Sequence, residues 1–152
     1  MANLLEWLKE IICSKASEPK VFGTINWDEV TDIIEPHIKK SNKIYLSDTN
    51  YSLTSVDEIR KFLYNDRLNY QKYTESHDCD NFSYQLMGYF SQWSYSFCFG
   101  IAWSGTHAFN IFIDKDKKLY VIEPQNDAIY TMNEIKKSSN LKQYYPFELI
   151  LI

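Results

Sequence analysis

The stretch YSFCFGIAWSGTHAFNIFIDKDKKLYVIEPQ, residues 95–125, decides the fold. It holds three short runs rich in Ile, Phe, Tyr and Val, namely Phe97–Trp103, Ala108–Ile113 and Leu119–Ile122, separated by turn-forming residues. Runs of that length and composition read as β-strands. Asp114-Lys115-Asp116-Lys117 reads as a four-residue hairpin loop between two of them, which sets Ile113 against Lys118 and His107 against Pro124. Glu123 and Gln125 flank that position. A one-residue slip, which loop length does not fix, puts one or the other directly opposite His107, at the ~4.5–5.5 Å Cβ separation of a cross-strand pair.

Upstream of this stretch the texture is helical. Asp78-Cys79-Asp80 precedes Phe82, Leu86, Met87, Tyr89 and Phe90, a helix whose first turn carries acids at the positive end of its dipole. Ser55-Val56-Asp57-Glu58 is a capping pattern ahead of Ile59, Phe62 and Leu63, predicting a helix to about Arg67. Asn26-Trp27-Asp28-Glu29 repeats it ahead of Val30, Ile33, Ile34 and Ile38, with Pro36 kinking or ending that helix. Asn3 to about Ala16 shows the i, i+3, i+4 apolar spacing of another helix, with Leu4, Leu5, Trp7, Leu8, Ile11 and Ile12 on one face. Ile44–Leu46 and Phe147–Ile152 read as further strands. Helices first and strands later predict an α+β fold, N-terminal helices packed on one face of a largely antiparallel C-terminal sheet. At 152 residues the chain has the size of a single domain.

Composition narrows the function. The chain carries a formal charge of −4, and Arg60 and Arg67 are its only arginines, a poor complement to the phosphates of nucleic acid. No run reaches the ~18 apolar residues of a membrane span and no secretory pattern opens the chain, so a soluble, cytoplasmic protein with no membrane partner is expected. Three cysteines, Cys13, Cys79 and Cys98, do not suggest a disulfide framework. Nothing in the sequence fixes an oligomeric state. The Lys-, Asn- and Ile-rich composition hints at an AT-rich genome, of phage or bacterial kind.

Three segments carry candidate chemistry: Asp78-Cys79-Asp80-Asn81-Phe82 opening a helix, Gly105-Thr106-His107-Ala108-Phe109-Asn110 opening a strand, and Val121-Ile122-Glu123-Pro124-Gln125 ending the next. A thiol at a helix N-terminus beside an imidazole is in the setting that makes a nucleophile. Asp78 and Asp80 oppose this unless they turn away or bind cations. Cys79 as nucleophile, His107 as general acid/base and Glu123 as orienter, with Gln125 competing for that last role, fill the three positions of a thiol hydrolase. Trp103, Tyr84 and Phe109 are expected to line its groove, and Gly105 and Asn110 to mark its edge. Cys13 and Cys98 lie on apolar faces and read as structural, and His77 as a helix-entry residue.

The runs D-C-D-N-F-S, G-T-H-A-F-N and I-E-P-Q, in this order, resemble the papain-like cysteine peptidase domain attached to certain fungal chimeric lectins, and its small phage or bacterial stand-alone relatives. The resemblance covers roughly Tyr70 to Gln125. It implies a Cys79–His107–Glu123 triad, a compact papain-like fold and hydrolysis of a peptide or isopeptide bond in a peptide or protein substrate. In the lectin group that hydrolysis is calcium-dependent; here Asp78, Asp80, Asp114 and Asp116 offer hard oxygen ligands, with Asp78 and Asp80 beside the thiol as the candidate calcium pair, and no cofactor is otherwise required. The sequence lacks the sugar-binding repeats of the lectins, and the glutamine that completes their oxyanion hole is matched by position only, by Gln71, with Tyr73 and His77 as other candidates. The expected function is therefore that of a papain-like cysteine peptidase. The alternatives are a non-catalytic binding module on the same scaffold and a thiol deamidase or transglutaminase-like acyl transferase.

Overall fold

The computed structural model describes residues 18–40, 43–93 and 95–152. The helix expected over Asn3–Ala16, with Cys13, lies outside these residues. The chain enters as strand β1 (Gly23–Asn26) and turns directly into helix α1 (Trp27–Ile34). Asn26 Oδ1 accepts the Glu29 N–H at 2.9 Å and the Glu29 carboxylate accepts the Asn26 N–H at 3.3 Å, a closed capping box. Pro36 ends α1 in a single 3-10 turn over Glu35–His37. Strands β2 (Ile44–Tyr45) and β3 (Asn50–Leu53) follow. Helix α2 (Val56–Asp66) is capped by Ser55 Oγ, which accepts the Glu58 N–H at 3.2 Å, and stops where Arg67 adopts a left-handed conformation.

Helix α3 (Cys79–Phe90) then leads into the β half: β4 (Phe99–Trp103), β5 (Ala108–Ile113), β6 (Leu119–Glu123), β7 (Ala128–Thr131), a short helix α4 (Met132–Lys137), a 3-10 segment over Ser139–Tyr144, and β8 (Leu149–Leu151). Six strands form one sheet in the order β2-β8-β4-β5-β6-β7, antiparallel throughout except for the parallel pair β2–β8. The fold is α+β, as expected. Two features depart from the sequence reading. β1 and β3 pair as a separate two-stranded sheet inside the half read as helical. The main sheet is also covered on both faces, not one.

Every residue of β5 is buried, and its alternation divides the core in two. Phe109, Ile111 and Ile113 join α1, α4, Phe147 and Ile150 in one cluster. Phe112 points the other way, into a cluster with Ile59 and Phe62 of α2 and Phe82, Leu86 and Phe90 of α3. Each such side chain contributes about 1.5–3 kcal/mol of transfer free energy, so three of them hold α3 firmly on the sheet. Asn110 fastens it further: its Nδ2 donates to Ser83 O of α3 at 3.0 Å and to Gly100 O of β4 at 3.1 Å. Asn110 is thus a buried structural tie and not a site-edge residue. Gly100 is required where it stands, because a Cβ there would lie 2.1 Å from Leu151 O of β8. Among the described residues no helix is long and apolar enough to cross a membrane.

Candidate active site

His107 and Glu123 meet. His107 Nε2 and Glu123 Oε2 are 2.6 Å apart, with side chains only 13% and 6% exposed. The register is the one-residue slip from the Ile113–Lys118 pairing that sets Gln125 opposite His107. Ile113 pairs with Leu119, not Lys118, so the hairpin loop has five residues. The extra residue is accommodated because Lys117 takes a positive φ of 57° and Asp114 Oδ1 accepts the N–H groups of both Asp116 and Lys118 at 2.9 Å. The β5–β6 pairing, with Asn110 facing Ile122, projects His107 toward Gln125, and the imidazole reaches Glu123 along the diagonal.

Glu123 is held by three donors. Besides the imidazole, Tyr144 O–H donates to Oε2 at 2.8 Å and the Gln125 backbone N–H donates to Oε1 at 3.2 Å. Gln125 therefore supports the orienting carboxylate through its backbone. A carboxylate accepts only, so Nε2 carries the shared proton, and in the neutral ring Nδ1 keeps its lone pair. The ring is walled by Tyr144 and Phe109, at centroid distances of 5.4 and 5.9 Å. Burial first, and then the charge of Glu123, push the Tyr144 phenol far above its ordinary range. The loop carrying His107 is tied down by Ser104, whose N–H donates to His107 O at 2.9 Å and whose hydroxyl donates to Gln143 O.

Cys79 is the first residue of α3 and is half-buried. Three contacts fix the direction of this helix. Phe90 at its end stacks on Phe99 at the start of β4, with centroids 4.1 Å apart, while Tyr84 lies against Trp103 at the end of β4, at 6.0 Å, and Ser83 accepts from Asn110 of β5. α3 thus runs alongside β5 with its N-terminus beyond the Trp103–Ala108 pair, the end of the sheet at which His107 sits. Among the described residues no hydrogen bond joins Cys79 Sγ to the imidazole. The structure brings His107 and Glu123 into contact and leaves Cys79 at the same end without a direct bond.

The surroundings of the thiol are acidic. Asp78 and Asp80 lie close enough to hydrogen-bond, and that bond, with burial and mutual repulsion, raises the Asp80 carboxyl. Tyr73, 53% exposed and stacked on Phe82, is raised by burial and then by the charges of Cys79, Asp78 and Asp80, which it faces. Calcium takes six to eight oxygen ligands. Among the described residues no group of three or more His, Cys, Asp or Glu is placed to hold a metal ion; Asp78 and Asp80 stand together as two carboxylates.

Tyr84 is 51% exposed and Trp103 half-buried, a surface pair beside the α3 opening, whereas Phe109 is fully buried beneath the sheet and lines no groove. Gln71 lies exposed in the loop leaving the 3-10 turn Leu68–Tyr70. His77 Nε2 is engaged by the Gln85 side chain at 2.7 Å, in keeping with a helix-entry role, and Cys98 is buried, its thiol pushed up to about 12 by burial. Tyr144 was not singled out by the sequence. It lies beyond the motif-bearing region, and nothing local separates it from the other eleven tyrosines.

The chain is similar in fold to a Polyporus squamosus lectin. The match to that lectin, bound to the human-type influenza-binding epitope Neu5Aca2-6Galb1-4GlcNAc, has a TM-score of 0.67 at 21% identity over 85% of this chain. A second match, to the PSL1a–E64 complex, has a TM-score of 0.67 at 23% identity over 85% of this chain. The chain spans about half of the length of either, 49% and 51%. At these identities the likeness concerns the fold. No protein-family model matches the chain, and no curated protein matches it significantly.

Proposed function

We propose that the chain is a papain-like thiol hydrolase acting on a peptide or isopeptide bond, with Cys79 as nucleophile, His107 as general acid/base and Glu123 as orienter. The observation that carries this reading is the buried 2.6 Å His107–Glu123 bond, which commits Nε2 and leaves Nδ1 as the basic nitrogen at the end of the sheet where α3 opens.

The reaction follows from these roles. Nδ1 takes the thiol proton and Sγ attacks the carbonyl carbon. The resulting oxyanion meets the backbone N–H of Cys79 at the opening of α3. The imidazolium returns its proton to the leaving amine, giving a thioester on Cys79. Water, deprotonated by the same imidazole, cleaves the thioester and restores the thiol. With ammonia as leaving group the same steps perform deamidation, and with an amine in place of water they perform acyl transfer. Gln71 is a second oxyanion donor only if its loop folds over the helix opening. The exposed Tyr84–Trp103 pair supplies an aromatic surface for the substrate chain.

A second reading, a non-catalytic binding module, is favoured by the missing Sγ–imidazole bond and by the glycan-bound lectin among the structural neighbours. Incubation with E64, the compound named in the second match, separates the two. A hydrolase gains the mass of one E64 on wild type and loses it in Cys79→Ala, with much slower labelling in His107→Ala. A binding module leaves all three chains unlabelled.

A further inference from the structure

We infer that Tyr144 is a positioning residue for the His107–Glu123 pair: its phenol holds the Glu123 carboxylate in place, shares its charge, and so sets how the imidazole is aimed and paired. The inference rests on the proposed hydrolase only for its purpose, since the contacts exist whatever the site does. Tyr144 reaches the site from the 3-10 segment Ser139–Tyr144, far from the motifs in sequence. Its O–H lies 2.8 Å from Glu123 Oε2, the same oxygen that receives the imidazole proton. Its ring packs edge-on against His107 at 5.4 Å and Phe109 at 5.2 Å, and lies 5.4 Å from Tyr130. The preceding residue of the segment receives the Ser104 hydroxyl, so one segment braces both the His107 loop and its carboxylate.

A phenol that only filled space would be replaceable by Phe without consequence. One that donates to Oε2 withdraws negative charge from the oxygen facing the imidazole, and its removal concentrates that charge on the ring. The groups facing the phenol are Glu123 from β6, Tyr130 from β7, Gln143 from its own segment and the His107 ring. Tyr144→Phe keeps the ring packing and deletes the donor alone.

The test is an NMR pH titration of the His107 ring in the full chain. In Tyr144→Phe the titration midpoint rises by about half to one pH unit. In Glu123→Gln the Tyr144 phenol ionises at lower pH than in wild type, which tests the contact from its other side even if Tyr144→Phe does not fold. An unmoved midpoint in folded Tyr144→Phe, or an unchanged Tyr144 titration in Glu123→Gln, overturns the inference. None of these readouts involves Cys79, so an inert thiol would refute the hydrolase and leave Tyr144 standing.

Discussion

Asp66→Asn should stabilise the protein at neutral pH and do little in acid. Asp66, at the end of α2, and Asp127, at a positive φ of 59° in the β6–β7 turn, face each other across a half-buried gap with Asn69 between them. Asn69 Nδ2 donates to Asp127 Oδ2 at 2.6 Å and the Leu68 N–H donates to Asp66 Oδ1 at 2.7 Å. The remaining oxygens, Asp66 Oδ2, Asn69 Oδ1 and Asp127 Oδ1, are buried with no donor among the described residues. Burial above all, with the charge of Asp127, raises Asp66 from 3.8 to about 7, and burial raises Asp127 from 3.8 to about 6. The folded protein therefore holds protons here that the unfolded chain releases near pH 4, so stability present below pH 4 is lost as pH rises through about 7. At about 1.4 kcal/mol per pH unit the Asp66 gap corresponds to about 4 kcal/mol, and its partial exposure to solvent reduces this to about 2 kcal/mol. An asparagine carries no charge to desolvate, and its amide offers the missing donor. Urea denaturation at pH 4, 6 and 8 should show Asp66→Asn level with wild type at pH 4 and about 2 kcal/mol more stable at pH 8, a rise of about 4–8 °C in Tm at that pH. A variant that is equally altered at all three pH values, or less stable at pH 8, would refute the reasoning.

Asp80→Asn removes a carboxylate beside the thiol and should move the pH profile of Cys79 alkylation toward lower pH by about half a unit or more; a shift upward, or none, would show that Asp80 does not act on the thiol. Gly100→Ala places a Cβ against Leu151 O and should cost at least about 1–3 kcal/mol in urea denaturation, while a neutral result would mean that β8 moves aside freely.

The helices were legible because their ends are written locally: Asn26 with Glu29 and Ser55 with Glu58 cap the helices they predict, and α3 begins at the Cys79 expected of it. The strand runs were equally plain, but the register was not. The left-handed Lys117 and the double acceptance by Asp114 lengthened the loop by one residue, a conformational choice that no pattern of apolar residues encodes. β1 and β3 escaped because four-residue strands next to a helix cap and a turn cluster resemble linker, and β7 because its residues are uniformly half-buried and show no alternation. Asn110 was misread for a related reason: a polar residue in a strand signals a site until the backbone carbonyls that it satisfies are seen. Cys79, His107 and Glu123 stood out as candidates because each lies at or beside the end of an element. Tyr144 was not, since its place beside Glu123 depends on the packing of the last 20 or so residues against the sheet.

The central claim is that His107, aimed by Glu123, makes Cys79 a nucleophile. Its most direct test is the rate of iodoacetamide alkylation at Cys79 from pH 4 to 9 in wild type and His107→Ala. Activation by His107 gives a rate that stays high well below the ~8.5 at which a free thiol ionises and falls tenfold or more in His107→Ala at pH 6. A slow thiol with an ordinary pH profile, indifferent to His107, would contradict it and leave the binding module as the reading of this site.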